Sequence, residues 1–505
     1  MKHLLLAFLA GTVAACGFQP LGLWPLTLLA FAALLWLVGG AASLRSALAR
    51  GWWFGVGHFA VGLNWIATAF TFQAAMPAWL GWVAVVLLSL YLAVYPAVAA
   101  GLAWRYGRRD PLPLTLWFAA AWIVSEWLRA TLFTGFAWNP AGAALLDAAG
   151  IAGLAKLIGT YGLSGVAMLA AGTLLLGVRR RWRSAAALGV PLLAAALLLW
   201  PIRLTEPSGL RTAIRLVQPN VSQTDKWRPG MDEEILRRLG TLSQAGANEP
   251  RLLLWPEVAV TEPLEDARRH PLVAVSVGRT RAAVQRMLGP NDLLLTGGMA
   301  VNSRDGEHAS GATNSVYAID GRGRILGRYD KAHLVPYGEY LPMRPLLSAL
   351  GLSRLAPGTL DQDAGPGPRT LDLPIVGRVG FQLCYEIIFS GEVVDRADRP
   401  DFLFNPSNDA WFGEWGPPQH LAQARMRALE EGLPVLRSTP TGITAVIDAD
   451  GRLAASLPRH RPGFLDWRLP RPHPPTLFAR FGNVLPLLFA LLLAAAAIAV
   501  SRKAR

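Results

Sequence analysis

Hydrophobic residues are concentrated in long blocks at the two ends of the chain. Apolar runs lie near 4–20, 21–41, 52–71, 78–103, 113–135, 157–178, 184–202 and 482–501. A helix needs about 20 apolar residues to cross the hydrocarbon core of a bilayer. The pattern predicts an α-helical membrane bundle of seven spans over residues 1–204, and a linker with an eighth span over 471–505.

Between 205 and 470 the apolar positions fall instead in short runs separated by turns. The runs predict strands at 212–217, 252–255, 293–301, 314–319, 324–329, 376–383, 402–405 and 442–448, and helices at 231–246, 276–287 and 419–432. Asp320-Gly321 and Asp450-Gly451 are strong hairpin signals. Apolar strands that alternate with helices are typical of an α/β domain whose sheet is covered by helices.

The distribution of charge supports this division and predicts an orientation. Only 16% of the residues are charged, against about a quarter in soluble domains. The net charge of +14 comes largely from arginine runs after the second, fourth and sixth apolar blocks. Positive loops remain on the cytoplasmic side, so we expect the 205–470 domain on the extracytoplasmic side of the membrane. No basic stripe is interleaved with aromatics, so we expect no nucleic-acid partner.

One pair of ionisable residues lies within a predicted span. Glu126 and Arg129 are three residues apart and therefore share a helix face. Ionisable groups at this depth usually pair with each other and face the interior of the bundle. We expect a structural ion pair here, with a site for a lipid headgroup as the alternative.

Three candidates for chemistry follow predicted apolar strands. They are Glu257, Lys331 and Cys384. Ligands of open α/β sheets bind at the carboxyl ends of strands, so these side chains can converge. Taken singly, each residue has a simpler interpretation as a solvated loop residue or a small buried thiol. The second cysteine, Cys16, ends a stretch similar to a lipoprotein signal peptide, which we interpret as an ordinary first helix.

Together the three residues resemble the catalytic set of the nitrilase superfamily, in the same chain order. The matching segments are Trp255-Pro256-Glu257, Asp330-Lys331-Ala332-His333 continuing to Glu339, and Cys384-Tyr385-Glu386. With the surrounding spans, the resemblance narrows to the apolipoprotein N-acyltransferase family. Further matching segments are Gly17-Phe18-Gln19-Pro20, Glu126-Trp127-Leu128-Arg129, Phe133-Thr134-Gly135-Phe136, Asn405 to Gly413 and Arg425 to Glu430. The resemblance implies an αββα sandwich for 205–470.

The resemblance also implies roles for these residues. Cys384 would form an acyl thioester, Glu257 would transfer protons, and Lys331 would stabilise the tetrahedral oxyanion. Glu339, Glu386 and Tyr385 would support them. Trp227, Trp411 and Asn408 are expected to line the acyl path, although a tryptophan at a membrane rim can equally be an interfacial anchor. Neither a cofactor nor a metal is expected.

The expected substrates follow from the same resemblance. A phospholipid would give an acyl chain to Cys384 and leave as a lysophospholipid. The α-amino group of the S-diacylglyceryl-cysteine of an apolipoprotein would then accept the chain. One alternative is a membrane-tethered amidase that hydrolyses its thioester with water. Another is a transporter with a large outer domain, against which the spans show no inverted repeat.

Overall fold

The computed structural model describes residues 1–72, 77–148, 150–199, 212–244, 250–349, 354–355 and 361–503. The predicted boundary between bundle and domain, at 204/205, lies outside the described residues and stays a prediction. The bundle contains α1 (Lys2–Ala15), α2 (Trp24–Gly39), α3 (Leu44–Gly62), α4 (Ile66–Ala69), α5 (Leu80–Leu92), α6 (Val94–Gly107), α7 (Pro111–Thr131), α8 (Ala155–Val178) and α9 (Trp182–Leu198). Each of the seven apolar blocks of the bundle is thus helical over most of its length.

The remaining helices belong to the domain and to the C-terminal segment. They are α10 (Met231–Ser243), α11 (Pro271–Gln285), α12 (Arg344–Ala349), α13 (Gly416–Glu431), α14 (Leu477–Phe481) and α15 (Val484–Lys503). The helix α15 corresponds to the eighth apolar block, and α10, α11 and α13 correspond to the three helices predicted for the domain.

Three helical stretches of the described residues are long and apolar enough to cross a membrane. They are Leu80–Gly107, which joins α5 and α6, Ile151–Val178, which contains α8, and α15. The helices α1, α2 and α9 are apolar but shorter than a full span. The helices α3 and α7 have 19 and 21 residues but contain charged side chains. Three spans are therefore supported, and the predicted total of eight is not confirmed.

The ionisable pair of α7 holds the loop that follows this helix. Both side chains are buried. Oε1 of Glu126 accepts a hydrogen bond of 2.8 Å from the backbone N–H of Ala141. Nη1 of Arg129 donates to the carbonyls of Phe136 and Trp138, at 2.9 and 2.8 Å. The charges of Glu126 and Arg129 act on each other as expected, and in addition each side chain is hydrogen-bonded to the loop backbone.

The domain contains two β-sheets. Its strands are β1 (Ala213–Gln218), β2 (Arg251–Leu254), β3 (Glu265–Asp266), β4 (Asp292–Asn302), β5 (Gly311–Asp320), β6 (Ile325–Asp330), β7 (Thr370–Leu373), β8 (Gly377–Phe381), β9 (Phe402–Pro406), β10 (Val435–Ser438), β11 (Ala445–Ile447), β12 (Leu453–Ser456) and β13 (Gly463–Arg468). One sheet has the order β13-β1-β2-β4-β5-β6, with β3 beside β4, and the other has the order β12-β11-β10-β9-β8-β7. All eight predicted strands overlap observed ones, and both Asp-Gly hairpins are confirmed as antiparallel pairs.

Alternate side chains of the central strands face two different layers. Leu252 and Leu254 of β2 pack against Phe381 and Phe404 of the other sheet. Leu253, which points the opposite way, packs with Leu239 of α10. This two-residue period buries both faces of the sheet. The result is the αββα sandwich that the resemblance implies.

The outer face of the second sheet is covered by α13 and by the membrane bundle, which share one hydrophobic core. Glu430 of α13 is fully buried and accepts hydrogen bonds from the backbone N–H and the hydroxyl of Thr160 in α8, at 2.5 and 2.6 Å. Ser390 donates to the same carboxylate oxygen at 2.7 Å. The α/β domain is therefore packed directly against α8, which lies in one of the helical stretches long enough to cross a membrane.

Candidate active site

The three predicted residues lie just beyond three strand ends, as the sequence suggests. Glu257 follows β2, Lys331 follows β6, and Cys384 follows β8 and begins a 3-10 turn, Cys384–Ile388, called here the thiol turn. All three side chains are buried. Nζ of Lys331 lies 3.8 Å from Oε1 of Glu257, and the charges of both residues act on the thiol of Cys384. The structure therefore brings the three residues together in one buried site.

Lys331 lies between two carboxylates. Its Nζ donates a hydrogen bond of 2.8 Å to Oε1 of Glu339, in addition to the longer contact with Glu257. Burial alone would lower the pKa of Lys331, but Glu339 and Glu257 raise it well above the usual value of a lysine. The ammonium group is therefore charged at neutral pH and can stabilise a negative charge that develops beside it.

Both carboxylates are oriented by neutral donors. Nδ2 of Asn314, in β5, donates to Oε1 of Glu257 at 2.7 Å and reaches Oε1 of Glu339 at 3.5 Å. The backbone N–H of Val335 donates to Oε2 of Glu339 at 2.8 Å. Glu339 thus lies where a supporting carboxylate was expected. Asn314 was missed, because a single amide at the start of a predicted strand does not stand out in a sequence.

The surroundings of Cys384 favour the protonated form of its thiol. Burial raises its pKa well above the ordinary value, and the negative charge of Glu257 raises it further. The charge of Lys331 and the backbone N–H of Asn408 act in the opposite direction without reversing the shift. A protonated thiol is a weak nucleophile, so this site needs a base that removes the proton during attack.

Glu386 connects the thiol turn to the segment after β6. Its carboxylate accepts hydrogen bonds from the backbone N–H groups of Leu383 and Ala332, both at 2.7 Å, and of His333 at 3.0 Å. Burial raises the pKa of Glu386 despite these donors. The carboxylate therefore fixes the position of Cys384 relative to Lys331.

Two further predicted residues lie beside the site and face away from its centre. The hydroxyl of Tyr385 donates to the carbonyl of Gly135 at 3.3 Å and so points to the loop after α7. The side chain of Asn408 donates to Oε1 of Gln223 at 2.7 Å, and its backbone N–H is the group directed at the thiol. Tyr385 thus contacts the bundle, and the main chain of Asn408 faces the sulfur.

The two predicted tryptophans lie in different surroundings. Trp227 is 48% exposed, whereas the ring of Trp411 is partly buried against Phe72, with 5.3 Å between the ring centroids. The neighbour of Trp227, Lys226, is buried, and its Nζ donates to the carbonyl of Glu257 at 3.2 Å. Burial lowers the pKa of Lys226 to about 8. Lys226 was not predicted, because nothing in its local sequence separates it from a solvated lysine.

A buried polar cluster beneath the thiol was also missed. One ligand-type atom from each of Cys384, Asp409 and His420 lies within 4.8 Å of the others, a spacing that could hold a metal ion. Both ring nitrogens of His420 already face polar partners, namely Asp409 and the carbonyl of Cys384. The cluster is therefore a hydrogen-bonded network of the protein itself. Arg437 completes it by an ion pair with Asp409.

The sandwich, with Glu257, Lys331 and Cys384 together beyond its strand ends, belongs to the carbon-nitrogen hydrolase class of domains. Residues 213–470 match the carbon-nitrogen hydrolase family model. Residues 10–173 match the model of the apolipoprotein N-acyltransferase N-terminal domain. The two matches cover most of the chain.

Two relatives are similar to this chain over almost its whole length. Apolipoprotein N-acyltransferase of Rhodopseudomonas palustris is 36% identical over 96% of this chain and 92% of its own length. The enzyme of the same name from Bradyrhizobium diazoefficiens is 37% identical with the same coverage. The chain belongs to the apolipoprotein N-acyltransferase family.

Solved structures of nitrilase superfamily members are similar to about half of this chain. An amidase from Nesterenkonia sp. AN1 covers 52% of this chain and 92% of its own, with 19% identity and a TM-score of 0.36. A Saccharomyces cerevisiae member of branch 10 of the superfamily covers 51% and 90%, with 16% identity and a TM-score of 0.38.

Proposed function

We propose that this protein transfers an acyl chain from a phospholipid, through a thioester on Cys384, to the α-amino group of the S-diacylglyceryl-cysteine of an apolipoprotein. The observation that carries the proposal is the buried convergence of Glu257 and Lys331 on a thiol in a domain packed against membrane helices. Membership in the family supports the identity of the acceptor.

In the first half-reaction, Glu257 accepts the proton of Cys384 as the sulfur attacks the ester carbonyl of the phospholipid. The carbonyl oxygen becomes an oxyanion, which the ammonium of Lys331 stabilises. A donor of this kind typically contributes about 3 kcal/mol to the transition state. Collapse of the intermediate breaks the C–O bond. Glu257 returns the proton to the leaving lysophospholipid oxygen, and the thioester remains.

In the second half-reaction, the amine of the diacylated cysteine attacks the thioester carbonyl. Glu257 accepts a proton from the nitrogen, and Lys331 again stabilises the oxyanion. The C–S bond breaks, the sulfur of Cys384 takes the proton back, and an amide is formed. Each proton that leaves one group is therefore received by another, and the enzyme ends in its starting state.

The position of the domain suits two substrates that are anchored in lipid. The site is attached to α8 and to the loop after α7, so it remains at the surface where acyl chains and lipoproteins lie. We place this surface on the periplasmic side of the inner membrane, on the grounds of the arginine runs. The catalytic domain would then meet lipoproteins that have already been exported.

The proposal is tested by following the acyl chain through both steps. Purified protein incubated with a phospholipid labelled in its acyl chain should acquire a hydroxylamine-labile label. We expect no label on Cys384→Ala, because the sulfur is absent. Labelling of Glu257→Gln should be slower by about 100-fold or more, since general base catalysis contributes about 10²- to 10⁴-fold.

Addition of a diacylated lipopeptide should then move the label to the peptide as an amide. Release of free fatty acid without acylated peptide would contradict the proposal and would indicate a membrane-tethered amidase that hydrolyses its thioester with water. Labelling that survives in Cys384→Ala would move the nucleophile to another residue. Cys16→Ala is the matched control and should be labelled at the wild-type rate.

A further inference from the structure

The backbone of Cys384 adopts a conformation that its surroundings must hold. Its φ of 49° lies in the left-handed region, which residues other than glycine rarely occupy. On one side, Glu386 binds the backbone N–H of Leu383, the preceding residue. On the other side, the carbonyl of Cys384 accepts a hydrogen bond of 3.0 Å from Nε2 of His420. The nucleophile is therefore held from both ends of a strained segment.

The imidazole of His420 is itself fixed. It is fully buried in α13, and its Nδ1 lies 2.9 Å from Oδ1 of Asp409 and 3.1 Å from Nη2 of Arg437. Arg437 also donates to the hydroxyl of Ser407 at 3.0 Å. One face of the ring packs against Trp138, with 5.3 Å between the centroids. Rotation of the imidazole would break these contacts.

The partners of His420 decide which of its nitrogens carries a proton. A backbone carbonyl only accepts hydrogen bonds, so Nε2 must be the donor to Cys384 whether or not Nδ1 is protonated. Nδ1 faces Asp409 and Arg437. The ring therefore lies beside the thiol with neither nitrogen free to accept the thiol proton. This arrangement leaves Glu257 as the base.

We propose that His420 is a positioning residue that holds the carbonyl of Cys384 and so directs its sulfur at the acyl carbonyl. Asp409 and Arg437 act indirectly, because they hold the imidazole of His420 in place. The inference rests on the proposed function, since it takes Cys384 as the nucleophile. A displacement of about 1 Å at a reacting atom can reduce a rate by about 100-fold.

The test compares two amides that differ in reach. In His420→Gln the side-chain nitrogen can occupy the position of Nε2, whereas the shorter side chain of His420→Asn reaches only the position of Nδ1. We expect the Gln variant to form the acyl-enzyme within about 10-fold of the wild-type rate. The Asn variant should lose about 100-fold at saturating phospholipid, with KM almost unchanged and the pH profile keeping its shape.

Thermal unfolding of both variants separates positioning from loss of fold. A wild-type acylation rate in folded His420→Asn would overturn the proposal. The pH dependence of the acylation rate provides a second check. If one limb of this profile disappeared in His420→Asn, His420 would be a group that exchanges a proton during the reaction, and the proposal would be overturned. If His420→Asn does not fold, the Gln variant decides, because its side-chain nitrogen supplies the same donor to the carbonyl of Cys384. A loss of more than about 100-fold in folded His420→Gln would refute the proposal.

The same experiment distinguishes this proposal from the proposed function. Labelling that persists in Cys384→Ala would show that Cys384 is not the nucleophile. A role of His420 in positioning Cys384 would then have no basis either. Labelling that is lost in Cys384→Ala but remains at the wild-type rate in His420→Asn would overturn the positioning role alone.

Discussion

Two buried carboxylates near the thiol are stabilised in opposite ways. Glu386 is surrounded by backbone N–H groups and by the hydroxyl of Tyr329, which donates at 2.9 Å. Asp409 contacts the guanidinium of Arg437 and the ring of His420. Burial alone would raise the pKa of Asp409, but these two neighbours lower it below the ordinary aspartate value. Asp409 is therefore a fixed anion, and Glu386 is an acceptor that organises the backbone.

At the scale of one residue, we expect Asp409→Asn to destabilise the protein by about 3–5 kcal/mol at neutral pH, because Arg437 then remains buried without a counter-charge. The folded-state pKa of Asp409 lies below its unfolded value of about 3.9. Its stabilisation is therefore complete above about pH 4 and is lost as the pH falls through the folded-state pKa. Thermal unfolding in detergent at several pH values measures the difference, which should narrow on acidification. A constant difference would contradict this assignment.

Among the elements, eight strands were predictable from their apolar runs and five others, including the central strand β10, were not. The runs that became β2, β4 and β9 are almost wholly apolar, which is typical of strands buried on both faces. The strand β10 was missed because it contains Arg437, and a charged residue in a sequence indicates a surface position. In the structure Arg437 is buried and its charge is balanced by Asp409. The others are short or lie at sheet edges, where the alternating pattern is weak.

In the site, too, some residues could be predicted from the sequence and others could not. Glu257, Lys331 and Cys384 could be found because each follows a predicted strand and because, in their chain order and with their flanking motifs, they resemble the catalytic set of the nitrilase superfamily. Asn314 and His420 act through contacts with residues 57 and 36 positions away along the chain. Such pairings depend on the tertiary fold, so no local pattern reports them.

The bend in α8 gives an element-scale prediction. Gly159 has a φ of 66°, and a Cβ atom there would lie 2.1 Å from the ring of Phe478 in α14. We expect Gly159→Ala to lower stability by more than about 1–3 kcal/mol, since backbone strain adds to the clash. Thermal unfolding in detergent measures the loss, which should accompany weaker packing of the domain on α8.

Gly177 offers a matched control on the same helix. A Cβ atom there would meet nothing closer than 3.8 Å, and alanine is preferred over glycine in helices by up to about 1 kcal/mol. Gly177→Ala should therefore be neutral or stabilising. Equal losses in the two variants would mean that the bend at Gly159 does not depend on glycine.

For the whole molecule, the catalytic domain and the bundle share a core. Residues of α2, α7, α8, the thiol turn and α13 belong to one buried cluster. Two hydrogen bonds join the loop after α7 to the domain. The hydroxyl of Tyr385, in the thiol turn, donates to the carbonyl of Gly135 at 3.3 Å, and Nε1 of Trp138 donates to Oε1 of Gln419, in α13, at 2.7 Å. The orientation of the bundle in the membrane therefore decides which compartment the thiol faces.

The orientation can be measured with single cysteines in a protein whose Cys16 and Cys384 are replaced by alanine. Glu307→Cys places a thiol on an exposed loop of the catalytic domain, and Ala42→Cys places one in the exposed connection between α2 and α3. Because positive connections remain in the cytoplasm, a membrane-impermeant maleimide added to cells with a permeable outer membrane should label the cysteine at 307 and leave the cysteine at 42 unlabelled. Lysis should expose both. Labelling of position 42 alone before lysis would invert the topology and place the site in the cytoplasm.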